Sequence, residues 1–355
     1  MKIAIDVSPI EKKGLIQHRV RGVGFYINNL KRSLVKYFPK NKYTFFVRGE
    51  NLSKDTDLIH YPYFEPFFIT LPLFNRCKTI VTVHDLTPLV FPKYFPKGVR
   101  GGFKWLIQKA SLRKANLIIA DSLSSKRDII KFTGVSEKKI EVIYLAAGEE
   151  FKRFKTDDLR LKKIREKYNL PEKFALYVGD VTWNKNLPRL VEAARKSRIP
   201  LVMVGKTLVS SDFDKNNPWN QDLLEVQKLV EGNKNILRVG FVETEDLVVL
   251  YNLATVFIMP SLYEGFGLPI LEAMACGCPV ITTKEGSIPE VAGDAAFYTD
   301  AYDSDKIAKD ITEVFEDEKL RKEFSAAGFK QSGKFSWKKT AEQTVRAYEK
   351  VLEKG

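Results

Sequence analysis

TVFIMPSLYEGFGLPILEAMACGCPVITTKE, residues 255–285, reads as strand, loop, helix and strand in succession. TVFIMPS (255–261) and PVITTKE (279–285) are near-continuous apolar runs, the pattern of strands buried on both faces of a parallel sheet. Between them Gly265 and Gly267 break the chain, and Pro269, with its fixed φ, suits the first turn of a helix through LPILEAMAC. The same kind of strand recurs upstream as FALYVGD (174–180), PLVMVGK (200–206) and ILRVGFV (236–242), with helical stretches such as LPRLVEAARKS (187–197) between. An earlier set holds KIAID (2–6), DLIHYP (57–62), TIVTVHD (79–85), NLIIADS (116–122) and IEVIYL (140–145). Two sets of alternating strands and helices predict an α/β chain of two Rossmann-like, doubly wound parallel-sheet domains in tandem. The join is expected in the charged segment 152–173, which carries a Pro shortly before the next strand.

The length agrees. A chain of 355 residues is too long for one ordinary core, and with 44% apolar residues, 12% aromatics and a mean hydropathy of −0.22 general disorder is excluded. Cys77, Cys276 and Cys278 form no zinc-type pair, and the N-terminus has no long apolar run, so a reduced, cytoplasmic setting is expected. In CGCPV (276–280) small residues at a helix end are the plainer reading than a thiol pair.

The net charge of +14 is unevenly spread. Residues 1–150 hold 26 Lys and Arg against 13 Asp and Glu, while residues 151–355 hold 32 against 31. No acidic residue lies between Asp85 and Asp121, but Lys93, Lys97, Arg100, Lys104, Lys109, Arg113 and Lys114 do, interleaved with Phe91, Tyr94, Phe95, Phe103, Trp105, Leu106 and Ile107. Basic and aromatic residues so mixed suit peripheral contact with an anionic membrane through residues 93–114, at the inner face of the membrane. A solvated basic face over core aromatics is the alternative, and nucleic acid is not the expected partner.

Several strands carry a distinctive residue at or near the C-terminal end: Asp6, His84, Asp121, Gly179 and Ser261. In open parallel sheets that edge binds ligands, and two such edges facing each other would make a site in a cleft between domains. In 261–281 the helix N-terminus favours an anion such as a phosphate, while Glu264 in the loop and Glu272 one turn into the helix suit the hydroxyls of a sugar or ribose.

Glu264 and Glu272 in EGFGLPILE resemble the paired-glutamate motif of the retaining GT-B glycosyltransferases of family 4, glycosyl transferases group 1. RGVGFYINNL (21–30), VTVHDLTP (81–88), YVGDVTWNKNL (177–187), VGFV (239–242), GSIPEVAGDAA (286–296) and FSWKKTAEQTVRAYEKV (335–351) match the family in order, over nearly the whole chain. The resemblance implies an acceptor-binding N-terminal domain, 1–165, a nucleotide-sugar-binding domain, 172–335, and a final helix, 336–355, crossing back to the first domain. Glu264 would hold donor-sugar hydroxyls and Glu272 the donor ribose. Gly265, Phe266, Gly267 and Leu268 would present amides to the sugar and diphosphate, with Gly179, Asn184 and Val242 also near the donor. Lys185 matches the lysine that binds the diphosphate and His84 the histidine beside the donor sugar. Gly22 and Gly24 would let the first βα loop close over the phosphates. Where the family has an Arg, either after the strand-end glycine or before the lysine, this chain has Asp180 and Asn184, with Lys206 or Arg21 as candidate substitutes.

Implied with the family is transfer of a hexose from a nucleoside-diphosphate sugar to a glycan or lipid-linked acceptor hydroxyl, with retention and without an obligatory metal. The mannosyltransferase-like neighbourhood of the motifs favours GDP-mannose over a UDP-sugar. A dinucleotide oxidoreductase is discounted because IDVSP is not followed by GxGxxG. A sugar-nucleotide epimerase of the same architecture and a non-catalytic sugar-nucleotide-binding protein are the alternatives.

Overall fold

A computed structural model describes residues 1–11, 20–74, 76–155 and 157–353, with the backbone alone for Val20 and Arg21. The chain forms two compact units, Met1–Ala146 with Phe335–Gly355, and Ala147–Lys334.

In the first unit β1 (Lys2–Asp6), β2 (Lys42–Phe46), β3 (Leu58–Tyr61), β4 (Lys78–Val83), β5 (Leu117–Ala120) and β6 (Ile140–Val142) form one parallel sheet in the order β2-β1-β3-β4-β5-β6. Strands β3 and β5 are buried along their whole length, as runs covered on both faces must be. The edge strand β2 alternates exposed and covered residues. The helix Trp337–Glu353 packs on the helix Val20–Tyr37, and Trp337 meets Phe25 and Tyr26 at ring-centroid distances of 6.1 and 6.0 Å. Lys78 Nζ donates to the carbonyls of Val351 and Leu352, closing the helix end onto β4.

In the second unit β7 (Ala175–Val178), β8 (Leu201–Val204), β9 (Ile236–Gly240), β10 (Val256–Met259), β11 (Val280–Thr282) and β12 (Phe297–Tyr298) run parallel in the order β12-β11-β10-β7-β8-β9. Counted from β7 this is the 3-2-1-4-5-6 order of dinucleotide folds, whose direction reverses between β7 and β10. At such a switch point the flanking connections diverge to opposite faces and leave a crevice beyond the strand ends.

The units part at Ala146, earlier than the join expected at 152–173. Residues 147–173 belong to the second unit because their aromatic and polar groups are spent there: Phe151 packs edge-on against Tyr251, the Phe154 amide donates to Asn252 Oδ1, and Lys167 pairs with Asp246 at 2.5 Å. A second difference concerns Gly22 and Gly24. Both lie in the first turns of the helix Val20–Tyr37 and not in a βα loop, because Tyr26, Ile27, Leu30 and Leu34 give that stretch a helical buried face.

Candidate active site

A densely hydrogen-bonded polar cluster lies at the β7/β10 switch point. Beyond β7 the turn Trp183–Lys185 ends at Asn186, a buried residue with φ +59°. The Asn186 side-chain amide donates to the carbonyls of Pro260 (3.0 Å) and Ala301 (2.6 Å). The Leu262 amide donates to the Asn184 carbonyl at 2.7 Å, and Asn184 Nδ2 to the Tyr263 carbonyl at 2.9 Å. On the other side Thr283 Oγ1 donates to the Ser261 carbonyl, and Ser287 Oγ reaches the carbonyls of Glu264 and Phe266. Gly286 allows this approach: its φ is +60°, and a Cβ there would lie 2.9 Å from the Glu264 carbonyl oxygen. The 260–267 loop is thus fixed from both neighbouring connections.

The result is a buried ion pair. Lys185 Nζ lies 2.8 Å from both carboxylate oxygens of Glu264, and Ser261 Oγ donates to Glu264 Oε1 at 2.6 Å. The Glu264 side chain is 9% exposed and that of Lys185 25%. Two of the three ammonium hydrogens go to the carboxylate, leaving one for an arriving anion. Gly267, at φ +100°, turns the loop into the helix Leu268–Ala275, whose N-terminus has no side-chain cap, and Gly265, Phe266 and Gly267 are buried while Leu268 is partly covered.

Glu272 lies on that helix, 8% exposed. Burial raises its carboxyl pKa to about 7; the Tyr251 hydroxyl, donating to Oε2 at 3.0 Å, pulls it down, and the charge of Glu150 pushes it up. Tyr251 is the partner missed from sequence: it comes from the helix Thr244–Leu253, and no local pattern links a helical Tyr to a carboxylate 21 residues on.

The other expected donor residues lie in the same unit. Gly179 follows β7, its amide donating to the Val204 carbonyl, and Val242 is buried beyond β9. Asp180 and Asn184, which stand where an Arg was expected, hold the fold: Asp180 Oδ1 accepts from the Thr207 amide and hydroxyl, and Asn184 Oδ1 accepts from Thr182 Oγ1. Lys206 is exposed in the turn after β8, and the Arg21 side chain is outside the described set.

In the first unit His84 follows β4. Its Nδ1 is 2.6 Å from Asp121 Oδ2 and its Nε2 is 3.2 Å from the Pro62 carbonyl. Both neighbours are acceptors, so satisfying both requires the doubly protonated ring. Burial alone would lower the His84 pKa, but the charge and hydrogen bond of Asp121, with the charge of Asp85 and the Pro62 carbonyl, outweigh it and raise the pKa. Tyr26 packs edge-on against the ring at 4.8 Å. Tyr26 OH, Thr82 Oγ1, the His60 ring and Tyr348 OH then form a buried chain with steps of 3.0, 2.8 and 2.8 Å, tying the last helix to β4, the strand that His84 follows. This chain was not foreseen, since its members are scattered over 323 positions of sequence.

Comparison with known proteins identifies the family. The profile described as Glycosyltransferase Family 4 matches residues 7–147, and that described as Glycosyl transferases group 1 matches residues 161–331. O-antigen chain mannosyltransferase B of Escherichia coli is 34% identical over 76% of this chain and 70% of its own length. The chain belongs to glycosyltransferase family 4. This glycosyltransferase is also 30% identical, over 81% of its length, to the serotype-specific mannosyltransferase WbdA of Escherichia coli, of which it spans only 36%. The capsular polysaccharide biosynthesis glycosyltransferase CapM of Staphylococcus aureus is 28% identical over 92% of this chain and 88% of its own. Among solved structures, sucrose-phosphate synthase from Thermosynechococcus elongatus aligns over the whole of both chains at TM-score 0.75 and 19% identity. Anabaena HepE in complex with UDP and glucose aligns at TM-score 0.73 and 18% identity, covering 99% of this chain and all of its own. These likenesses give the glycosyltransferase a GT-B fold.

Proposed function

We propose that this glycosyltransferase transfers a hexose from a nucleoside-diphosphate sugar to a hydroxyl of a glycan or lipid-linked acceptor, with retention of anomeric configuration. The observation that carries the reading is the Lys185–Glu264 pair, held beside an uncapped helix N-terminus at a switch point. GDP-mannose is the preferred donor, on the strength of the mannosyltransferase relatives; a UDP-sugar is the second choice, because the HepE structure holds UDP.

The chemistry follows from where charge appears. Breaking the bond between the anomeric carbon and the diphosphate leaves an oxocarbenium-like sugar and builds negative charge on the phosphate oxygens. Lys185 and the amides of Gly265, Phe266, Gly267 and Leu268 are fixed before the reaction and so stabilise that charge without reorganising. Glu264 accepts from donor-sugar hydroxyls and Glu272 from the ribose. The acceptor hydroxyl attacks the face the diphosphate leaves, forming the new C–O bond as the old one breaks, and its proton passes to a diphosphate oxygen. His84 is the proposed substrate-contacting group of the first unit. A peripheral contact of residues 93–114 with an anionic membrane brings the enzyme to a lipid-linked acceptor.

The test is transfer from GDP-mannose and from UDP-sugars to glycan and lipid-linked acceptors, with the anomeric configuration read by NMR. A product with the configuration of the donor is expected. An inverted product, or an epimerised free sugar nucleotide, overturns the reading.

A further inference from the structure

The helix Gly98–Lys114 packs Trp105 and Leu112 on the core and leaves a second set of apolar residues exposed. Its exposed positions Val99, Phe103 and Leu106 repeat at helical spacing, followed by Ala110, while the positions it buries include a polar one, Gln108, beside Leu112. Val99 is 93% exposed, Phe103 66% and Leu106 64%. Gln108 is spent on a neighbouring loop. Its Oε1 accepts from the Thr70 amide, the Thr70 hydroxyl and the Leu71 amide at 2.8, 2.8 and 2.9 Å, and its Nε2 donates to the Leu71 carbonyl at 3.1 Å. That clamp fixes a loop that itself exposes Ile69, Leu73 and Phe74, the last 84% exposed. Lys114 Nζ ties the two further, donating to the Leu73 carbonyl and lying 4.9 Å from the Phe74 ring centre, and Lys104 lies 5.4 Å from that of Phe68.

We propose that this helix and the clamped loop 68–74 form one surface that inserts its apolar residues into an anionic lipid bilayer. The proposal rests on the membrane contact suggested above and deepens it, since it adds a loop that has no basic residue of its own. An exposed apolar patch of this extent marks an interaction site, and charge selects the occupant. From Pro66 to Ala120 the chain carries nine Lys and Arg and one acidic residue, Asp85. A second copy docking by two-fold symmetry would set the same basic patch against itself, which is repulsive. Anionic headgroups match the lysine rim while the acyl boundary takes Phe103, Leu106 and Phe74.

The experiment is co-sedimentation of the full chain with vesicles of phosphatidylglycerol and phosphatidylcholine, and with phosphatidylcholine alone. Binding that requires the anionic lipid is expected. It falls about fivefold for each lysine neutralised in Lys104→Gln and Lys109→Gln. Phe103→Ser with Leu106→Ser weakens it at least tenfold, and Gln108→Ala weakens it although it removes no charge and no exposed apolar group. Binding independent of anionic lipid, or indifferent to all of these variants, overturns the proposal, as does a dimer that Phe103→Ser with Leu106→Ser dissolves. The melting shift with GDP or UDP is read on the same proteins. Vesicle binding lost with that shift retained isolates the surface, whereas vesicle binding without sugar transfer removes the proposed reaction and leaves the surface standing.

Discussion

Replacing Glu272 by Gln should change how stability depends on pH. The wild-type carboxyl is buried and its pKa rises from 4.5 to about 7 on folding, chiefly through burial. Below pH 4.5 both folded and unfolded chains carry the proton. Between 4.5 and about 7 the folded chain keeps it and the unfolded chain has lost it, so stability falls as pH rises, and above 7 the loss is complete. At 1.36 kcal/mol for each tenfold change in acidity, the loss is about 3 kcal/mol. Glu272→Gln keeps the volume and an acceptor for the Tyr251 hydroxyl but cannot ionise. A comparison at one pH would include whatever the new amide costs, so the slope is the diagnostic quantity. Urea unfolding of both proteins without ligand, from pH 5 to 8.5, is expected to show the variant gaining on the wild type by on the order of 1 kcal/mol per pH unit up to pH 7 and level thereafter. For a unit of this size, a gain of 3 kcal/mol corresponds to a melting difference of about 6 to 12 °C. Parallel pH profiles would refute the reasoning. A carboxylate that destabilises the empty protein fits a group retained for binding.

Three further outcomes are expected. Lys185→Ala lowers kcat by about two to three orders of magnitude by removing preorganised charge, and Lys185→Arg recovers part of it; an alanine variant with full turnover contradicts the assigned role. Tyr348→Phe leaves His60 Nδ1 buried without its 2.8 Å partner and costs about 1 to 3 kcal/mol in urea unfolding, whereas an unchanged midpoint shows that the buried chain is idle. By NMR the His60 ring, pushed down to about 3 by burial and the nearby His84 charge, stays neutral from pH 5 to 8, while His84 titrates above 6.5 and moves down in Asp121→Asn. The stability His84 contributes is complete below pH 6.5 and is lost as pH rises through its raised pKa, so a His84 signal titrating below 6.5 breaks the argument.

The strands were legible where burial on both faces leaves an unbroken apolar run, as in LIHY, LIIA and VFIM. The edge strand KYTFF was not read, since one covered face leaves only a short alternation, and neither was the two-residue strand Phe297–Tyr298. At the site, the loop glycines and the two glutamates mark themselves by local chemistry. The pairing of Lys185 with Glu264 spans 79 positions and depends on Asn186, Thr283 and Ser287 holding two connections together, which no spacing reveals. Asp180 and Asn184 depart from the binding motif of the family, and the structure gives them hydrogen bonds within the fold instead. The apolar face of the helix Gly98–Lys114 shows the limit from the other side, because its periodicity alone resembles that of a core face.

The central claim is a nucleotide-sugar site built on Lys185, Glu264 and Glu272. Thermal melting with GDP, UDP, ADP and their sugar conjugates, on wild type and Glu272→Ala, tests it most directly. One nucleotide family at 100 times its dissociation constant should stabilise the wild type by about 2.7 kcal/mol, and the variant should lose that response. No response to any nucleotide, or the same response in both proteins, would contradict it.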